Sequence, residues 1–169
     1  DTLLRLTTNL INFSKANVYS SSLRISEHEL NTYMEGICHA FYSYAEAKQI
    51  KLDYKSNFEY QNVWFDKEKM DSITKNLISN AIKYTPAHGE VHIIICHDKD
   101  NWSLEITDTG IGIPAKEQKK LFKLHFRGSN AINAKITGSG IGLMLVWKLV
   151  RIHKGKISIE SVENNGTRV

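Results

Sequence analysis

The chain has 169 residues, a formal charge of +4, 41% hydrophobic and 24% charged residues, a balance that fits one domain with enough apolar material for a core. No apolar run reaches the roughly 20 residues of a membrane helix, no signal peptide opens the chain, and Asp1 in place of Met predicts an excised fragment. Cys38 and Cys96 sit in apolar periodic segments and read as two buried thiols of a reducing compartment, not as a disulfide framework. Lys and Arg are scattered except between Lys116 and Lys135, which disfavours a nucleic-acid stripe; the phosphate of a nucleotide is the simpler reason for that local concentration.

Leu3, Leu6, Leu10 and Phe13 follow a heptad seam over residues 1–15. Such a helix either docks on the domain's own core or is the end of a dimerising helix, and a seam that starts at the first residue favours the second. Ser26 and Glu29 form a capping-box pattern, which predicts a helix carrying Leu30, Met34, Ile37, Phe41 and Ala45 on its apolar stripe. Ile50, Leu52 and Tyr54 alternate as in a strand. Asp66 is a candidate N-cap for a helix through Met70, Ile73, Leu77 and Ala81, ended by Pro86 and Gly89. Residues 91–97 and 102–108 predict a hairpin, residues 141–153 a helix closed by Gly155, and residues 156–162 and 167–169 a last hairpin around Asn165-Gly166. Residues 115–137 hold little apolar material beyond LFKLHF and lie between two glycine clusters, as a functional lid would. Helices segregated from mostly antiparallel strands predict an α+β fold, a two-layer sandwich with the helices on one sheet face.

Three segments carry chemistry. In KNLISNAIKYTP (residues 75–86) helical spacing puts Asn76, Asn80 and Lys83 in one stripe roughly 60° wide beside the apolar arc. Asn is a poor helix former, an amide oxygen is a neutral hard ligand suited to Mg²⁺, and Lys83 can neutralise phosphate; alone, the stripe reads first as a solvated face. In DTGIGIP (residues 108–114) Asp108 shares a strand face with Trp102, Leu104 and Ile106, which points a carboxylate at the core, where it needs a donor such as an adenine amino group. Gly110 and Gly112 follow, removing side chains where a flat ligand could approach; alone, this is also good turn chemistry. In GSGIGLMLVWKLV (residues 138–150) Gly138, Gly140 and Gly142 open an amphipathic helix, and free N–H groups at a glycine-rich helix start bind anions. The spacing is neither a dinucleotide fingerprint nor a Walker loop.

In this order the segments resemble the ATP-binding catalytic domain of sensor histidine kinases, within the superfamily that includes gyrase, Hsp90 and MutL. KNLISNAIKYTP is similar to its asparagine box, DTGIGIP and GSGIGLMLVWKLV to its two glycine boxes, and LFKLHFRGS (residues 121–129) to its phenylalanine box. The resemblance implies a Bergerat-type ATP-binding fold over residues 22–169, preceded at residues 1–18 by the end of a dimerisation and phosphotransfer helix. By position it makes Asn80 the Mg²⁺ ligand with Asn76 beside it, Lys83 and Arg127 phosphate contacts, and Tyr84 a flank of the nucleotide. Asp108 would read the adenine, supported by Thr167, with Gly110, Gly112 and Ile113 around the base. Phe122 and Phe126 would anchor the lid, and Gly138, Ser139, Gly140, Ile141, Gly142 and Leu143 would wrap the phosphates. It further implies ATP and Mg²⁺ as cofactors, phosphoryl transfer to a histidine upstream of this chain, relay to the aspartate of a response regulator receiver domain, a homodimeric full-length protein, and a cytoplasmic domain of a membrane-anchored whole. A regulatory nucleotide-binding module without transfer, and another ATPase of the superfamily, are the alternatives.

That family places its phosphoacceptor in a pattern close to His-Glu-Leu-x-Thr-Pro. His28-Glu29-Leu30-Asn31-Thr32-Tyr33 nearly matches it, but Tyr33 replaces the proline and the segment falls in the domain's own predicted capping box. His28 is therefore expected not to be the acceptor.

Overall fold

Val91, Ile93 and Ile95 alternate along one strand and are fully buried in the computed structural model, which gives the sheet the single dry face that period-two patterning requires. The structure describes residues 22–99, 101–123, 126–134, 136 and 138–169. The heptad seam of residues 1–15 lies outside the described residues. In chain order come β1 (Ser26–Glu29), α1 (Leu30–Ala47), β2 (Lys51–Ser56), β3 (Asn62–Phe65), α2 (Lys67–Tyr84), β4 (Glu90–Asp98) and β5 (Asn101–Asp108). Then follow α3 (Ala115–Gln118), α4 (Ser129–Asn133), α5 (Gly142–Ile152), β6 (Glu160–Val162) and β7 (Gly166–Arg168).

The main sheet has the order β2-β4-β5-β7-β6. Only β2 and β4 run parallel; the other neighbours are antiparallel. Leu30, Met34 and Ile37 of α1, Ile73, Leu77 and Ile78 of α2, and Val146 and Leu149 of α5 form one core with the buried strand residues. This is the expected mixed, mostly antiparallel α+β sandwich. Cys38 is buried in that core, whereas Cys96 is only half-buried. The two-thiol expectation therefore fails for Cys96: Val91, Ile93 and Ile95 own the inner face of β4, and the alternation turns residue 96 to the other face.

The capping box is corrected by the structure. Residues Ser26–Glu29 are a strand, not a first helical turn, because they pair antiparallel with Asn62–Phe65, His28 opposite Val63. Glu29 is itself the N-cap of α1: its carboxylate accepts from the amides of Asn31 at 3.1 Å and Thr32 at 2.6 Å. The Ser26 hydroxyl meets His28 Nε2 at 2.8 Å instead of a helix amide. Strand β3 is short, and its alternation buries Val63 and Phe65 and leaves Trp64 exposed.

Asp66 caps α2 as expected, its Oδ1 accepting from the Lys69 amide at 3.1 Å. Its Oδ2 accepts from Lys69 Nζ at 2.7 Å and from the Arg24 amide at 2.8 Å. The Asp66 amide in turn donates to His153 Nε2 at 3.3 Å, which ties the start of α2 to the end of α5. Burial works against the Asp66 charge, but these donors outweigh it and hold the carboxyl down to about 2.

The last hairpin is shorter than its sequence pattern. β6 spans only Glu160–Val162 because β7 lies opposite those residues alone. Gly166, at φ 95°, could not carry a side chain: a Cβ there would sit 1.9 Å from the Asp108 carbonyl oxygen. The lid stretch contains the two short helices α3 and α4.

Candidate functional site

Helix α2 supplies one wall of a cavity of about 400 Å³, into which Asn76, Asn80, Lys83 and Tyr84 face. Its buried arc of Ile73, Leu77 and Ala81 sets the rotation of the helix, so the polar stripe lies at the core's edge, as the spacing predicts. The carboxamide of Asn76 turns back to donate to the Ser72 carbonyl at 2.7 Å. Lys83 Nζ sits 3.2 Å from the Tyr84 hydroxyl and over the Tyr84 ring, 4.6 Å from its centre. Lys48, from the end of α1, donates to the Ile82 carbonyl at 2.7 Å and the Lys83 carbonyl at 3.2 Å, capping α2 just where Lys83 projects.

Asp108 stands at the end of β5, 8% exposed, with Ile106 beside it on the same strand face. Burial pushes its carboxyl up to about 6, against the opposing pull of the Gly110 and Thr167 amides. The Gly110 amide donates to Oδ1 at 2.8 Å. No ion pair reaches Asp108 among the described residues. A buried carboxylate with two neutral donors still has lone pairs to offer, and Asp108 lines the cavity.

The glycines after Asp108 are required by the chain's own packing. A Cβ on Gly110 would lie 2.5 Å from the Tyr84 carbonyl oxygen, and one on Gly112 would lie 1.9 Å from the Val162 carbonyl oxygen. The room left by the missing side chains is taken by this chain's own backbone. Gly112 also needs glycine for its φ of 59°. Gly112 and Ile113 line the cavity; Gly110 does not.

The third segment adds a further part of the wall. Ser139, Gly140, Ile141, Gly142 and Leu143 line the cavity, and α5 starts at Gly142. Here the bare α-carbons bring the loop onto the α2 stripe. A Cβ on Gly138 would lie 2.5 Å from Lys83 Nζ, and one on Gly142 would lie 2.6 Å from Asn76 Oδ1. Gly138 touches Lys83 in this way without itself lining the cavity.

From the lid, Phe126 and Arg127 line the cavity. The Arg127 guanidinium donates to the Ile136 carbonyl, while its buried Nε has no partner among the described residues. Phe122 instead faces Trp147 of α5, ring centres 6.5 Å apart, and does not line the cavity. Thr167 lines the cavity from β7, opposite Asp108 in the sheet register. His28 is not among the lining residues; its ring packs on Phe65, 4.7 Å between centres.

Several lining residues lie outside the sequence motifs, Ile106 and Asn130 among them. Ile106 was within reach, since it shares Asp108's strand face two positions away. Asn130 of α4 was not: its Nδ2 donates to the carbonyls of Ile111 at 3.2 Å and Gly112 at 2.8 Å, and no periodicity marks it.

Known proteins share this fold. The family model described as histidine kinase-, DNA gyrase B-, and HSP90-like ATPase matches residues 65–169. The circadian input-output histidine kinase CikA of Thermosynechococcus vestitus is 31% identical over 167 residues, covering 98% of this chain and 23% of that protein. This chain spans 12% to 42% of the length of curated histidine kinases it matches. The catalytic domain of histidine kinase ThkA, solved free of nucleotide, superposes with a TM-score of 0.74 at 24% identity over 86% of this chain and 91% of that one. Full-length ShkA, solved in complex with AMPPNP, superposes with a TM-score of 0.82 at 19% identity over 99% of this chain and 35% of that one. At these identities the two structures share the fold.

Proposed function

Since this chain belongs to the histidine kinase-, DNA gyrase B-, and HSP90-like ATPases, we propose that it is the ATP-binding catalytic domain of a two-component sensor histidine kinase. The observation that carries the reading is Asp108. It is a buried carboxylate, pushed up to about 6, that shares a cavity with two amides, an ammonium and a guanidinium holding a spare donor. The carboxylate suits an N–H donor, and the ammonium and guanidinium suit negative charge. An adenine nucleotide offers both.

In this reading Asp108 accepts the adenine amino group, with Thr167 beside it and Gly112 and Ile113 along the base. Tyr84 flanks the nucleotide. Lys83 and Arg127 neutralise phosphate charge, and the amides of the 138–142 loop wrap the phosphates where α5 begins. Mg²⁺, when bound, screens the phosphate oxygens and helps align them. Asn80 is its protein ligand, with Asn76 next to it on the same helix face; a neutral amide oxygen among phosphate oxygens suits a hard cation that keeps few protein ligands. This domain's part in phosphoryl transfer is positioning and charge neutralisation, with no covalent intermediate on the domain itself.

The acceptor is a histidine of the dimerisation domain of the same protein, and the phosphate is relayed to a response regulator receiver domain. The full-length protein is a homodimer, and this domain works on the cytoplasmic side of a membrane-anchored whole.

Calorimetry with ATP, with and without Mg²⁺, tests the binding half: affinity should drop in EDTA for the parent, and Asn80→Ala should lose that difference. Equal affinity with and without Mg²⁺ would remove Asn80 from the metal. Labelled ATP given to the full-length dimer tests the transfer half. Acid-labile phosphate on histidine is expected; tight ATP binding with no label would make the chain a regulatory nucleotide-binding module.

A further inference from the structure

Asn130 projects from α4 across the cavity mouth to the loop that follows Asp108. Its Nδ2 donates to the Gly112 carbonyl at 2.8 Å and to the Ile111 carbonyl at 3.2 Å, and its Oδ1 accepts from the Ala131 amide at 2.9 Å. Two donors and an acceptor on one short side chain are what a carboxamide alone supplies. The loop it grips is already held from two other sides. The Ile111 amide donates to the Tyr84 carbonyl at 3.1 Å, the Asn164 amide donates to the Ile111 carbonyl at 2.9 Å, and Gly112 is pressed against Val162. The loop therefore belongs to the rigid body of the domain, and Asn130 ties the lid to it.

The near end of the lid is tied as well. The Ser129 amide donates to Glu117 Oε2 at 2.9 Å, and Gln118 Nε2 donates to the carbonyls of Ser161 at 2.6 Å and Ile113 at 3.1 Å. Between these ties lie Phe126, Arg127 and Gly128, all lining the cavity, with Ala131 buried at its edge. Arg127 is three residues from Asn130, so where Asn130 holds the lid decides where the guanidinium points.

We propose that Asn130 is a positioning residue: it registers the lid against the base-reading loop and thereby places Arg127 on the phosphates, slowing nucleotide release. The inference rests on the nucleotide-site reading above. It assigns Asn130 no contact with the reacting atoms.

The test uses Asn130→Ala and Asn130→Asp in the full-length protein, with release of a fluorescent ADP followed by stopped flow. Asp has the shape of Asn but would set a carboxylate against two carbonyl oxygens, so Asn130→Asp should release nucleotide faster than Asn130→Ala, and Asn130→Ala about tenfold faster than the parent, the order expected for losing one good hydrogen-bonding group. A side chain that merely filled space would give the reverse order, Asp being the milder change. In an Arg127→Ala background the Asn130→Ala effect should vanish, because its route is gone. Melting temperature controls for global damage, and hydrogen exchange should rise at residues 126–134 in the variants. Unchanged release, the reverse order of Ala and Asp, or full additivity with Arg127→Ala would overturn the proposal while leaving the nucleotide site standing. A parent that binds no ADP would overturn that site reading and this inference with it.

Discussion

Gly142 rests its bare α-carbon on the Asn76 side chain: a methyl group added there would lie 2.6 Å from Asn76 Oδ1. Two segments 66 positions apart in sequence thus meet with no side chain between them, and the amide stripe of α2 faces the glycine loop directly. The obstructing atom is the far end of a side chain that can swing.

Gly142→Ala should therefore keep the fold and damage the site. Alanine at a helix start favours helix by up to about 1 kcal/mol, so the melting temperature should hold or rise. Displacing Asn76 toward Asn80 should weaken Mg-ATP by about tenfold, roughly the worth of one hydrogen bond to a charged group. Calorimetry beside a thermal melt checks this; unaltered affinity would separate the loop from the site.

Asp108→Asn should improve the empty protein and impair the loaded one. Burial raises this carboxyl from 3.8 to about 6, so its favourable neutral form is fully present below about pH 4 and is lost as pH rises through 6. Above that pH the buried charge costs the fold up to about 3 kcal/mol, since each pH unit by which the carboxyl stands above its ordinary value is worth about 1.36 kcal/mol. In denaturant unfolding the variant should gain on the parent between pH 5 and pH 7.5. An adenine amino group needs the ionised form, so parent affinity should rise through pH 6, while the variant binds about 1.5–3 kcal/mol more weakly at neutral pH and shows no such rise. A parent affinity flat from pH 5 to pH 7.5 would count against Asp108 as the base reader.

Asp66→Ala should be among the most destabilising single changes. It removes the carboxylate that pairs with Lys69 Nζ at 2.7 Å, both side chains being under a tenth exposed, and removes an N-cap, for a combined loss of about 3–5 kcal/mol, the range for breaking a buried ion pair. The Asp66 carboxyl is held down to about 2, so its contribution is present above its unfolded value near 4 and fades as pH falls through 2. Urea unfolding at pH 7 and pH 2.5 reads both. A loss under about 1 kcal/mol at pH 7 would mean that Lys69 escapes to water.

His28→Gln should leave phosphorylation untouched. The imidazole is committed to Ser26 and stacked on Phe65 in a two-stranded sheet, away from the cavity. The chain incubated alone with labelled ATP should stay unlabelled. Acid-labile phosphate abolished by His28→Gln would make this near-match to the family's acceptor pattern the true acceptor.

Local pattern determined much of this protein. Asp66 as a cap, the α2 stripe of Asn76, Asn80 and Lys83, the inward face of Asp108 and the hairpin of β4 and β5 all follow from periods of 3.6 and 2, which act between neighbours in the chain. The order of the three motifs likewise carried the family. Long-range contact decided the rest. Ser26–Glu29 became a strand because Asn62–Phe65 arrived beside it, and a capping-box pattern has no access to a partner 36 residues away. Gly110 and Gly112 lie where the backbones of Tyr84 and Val162 leave no room for a side chain, a constraint the turn chemistry alone did not reveal. Asn130 acquired its role from two carbonyls 18 and 19 residues back. A sequence shows which groups are available and which way each element faces; which backbones come within hydrogen-bonding reach of each other is settled only when the layers pack.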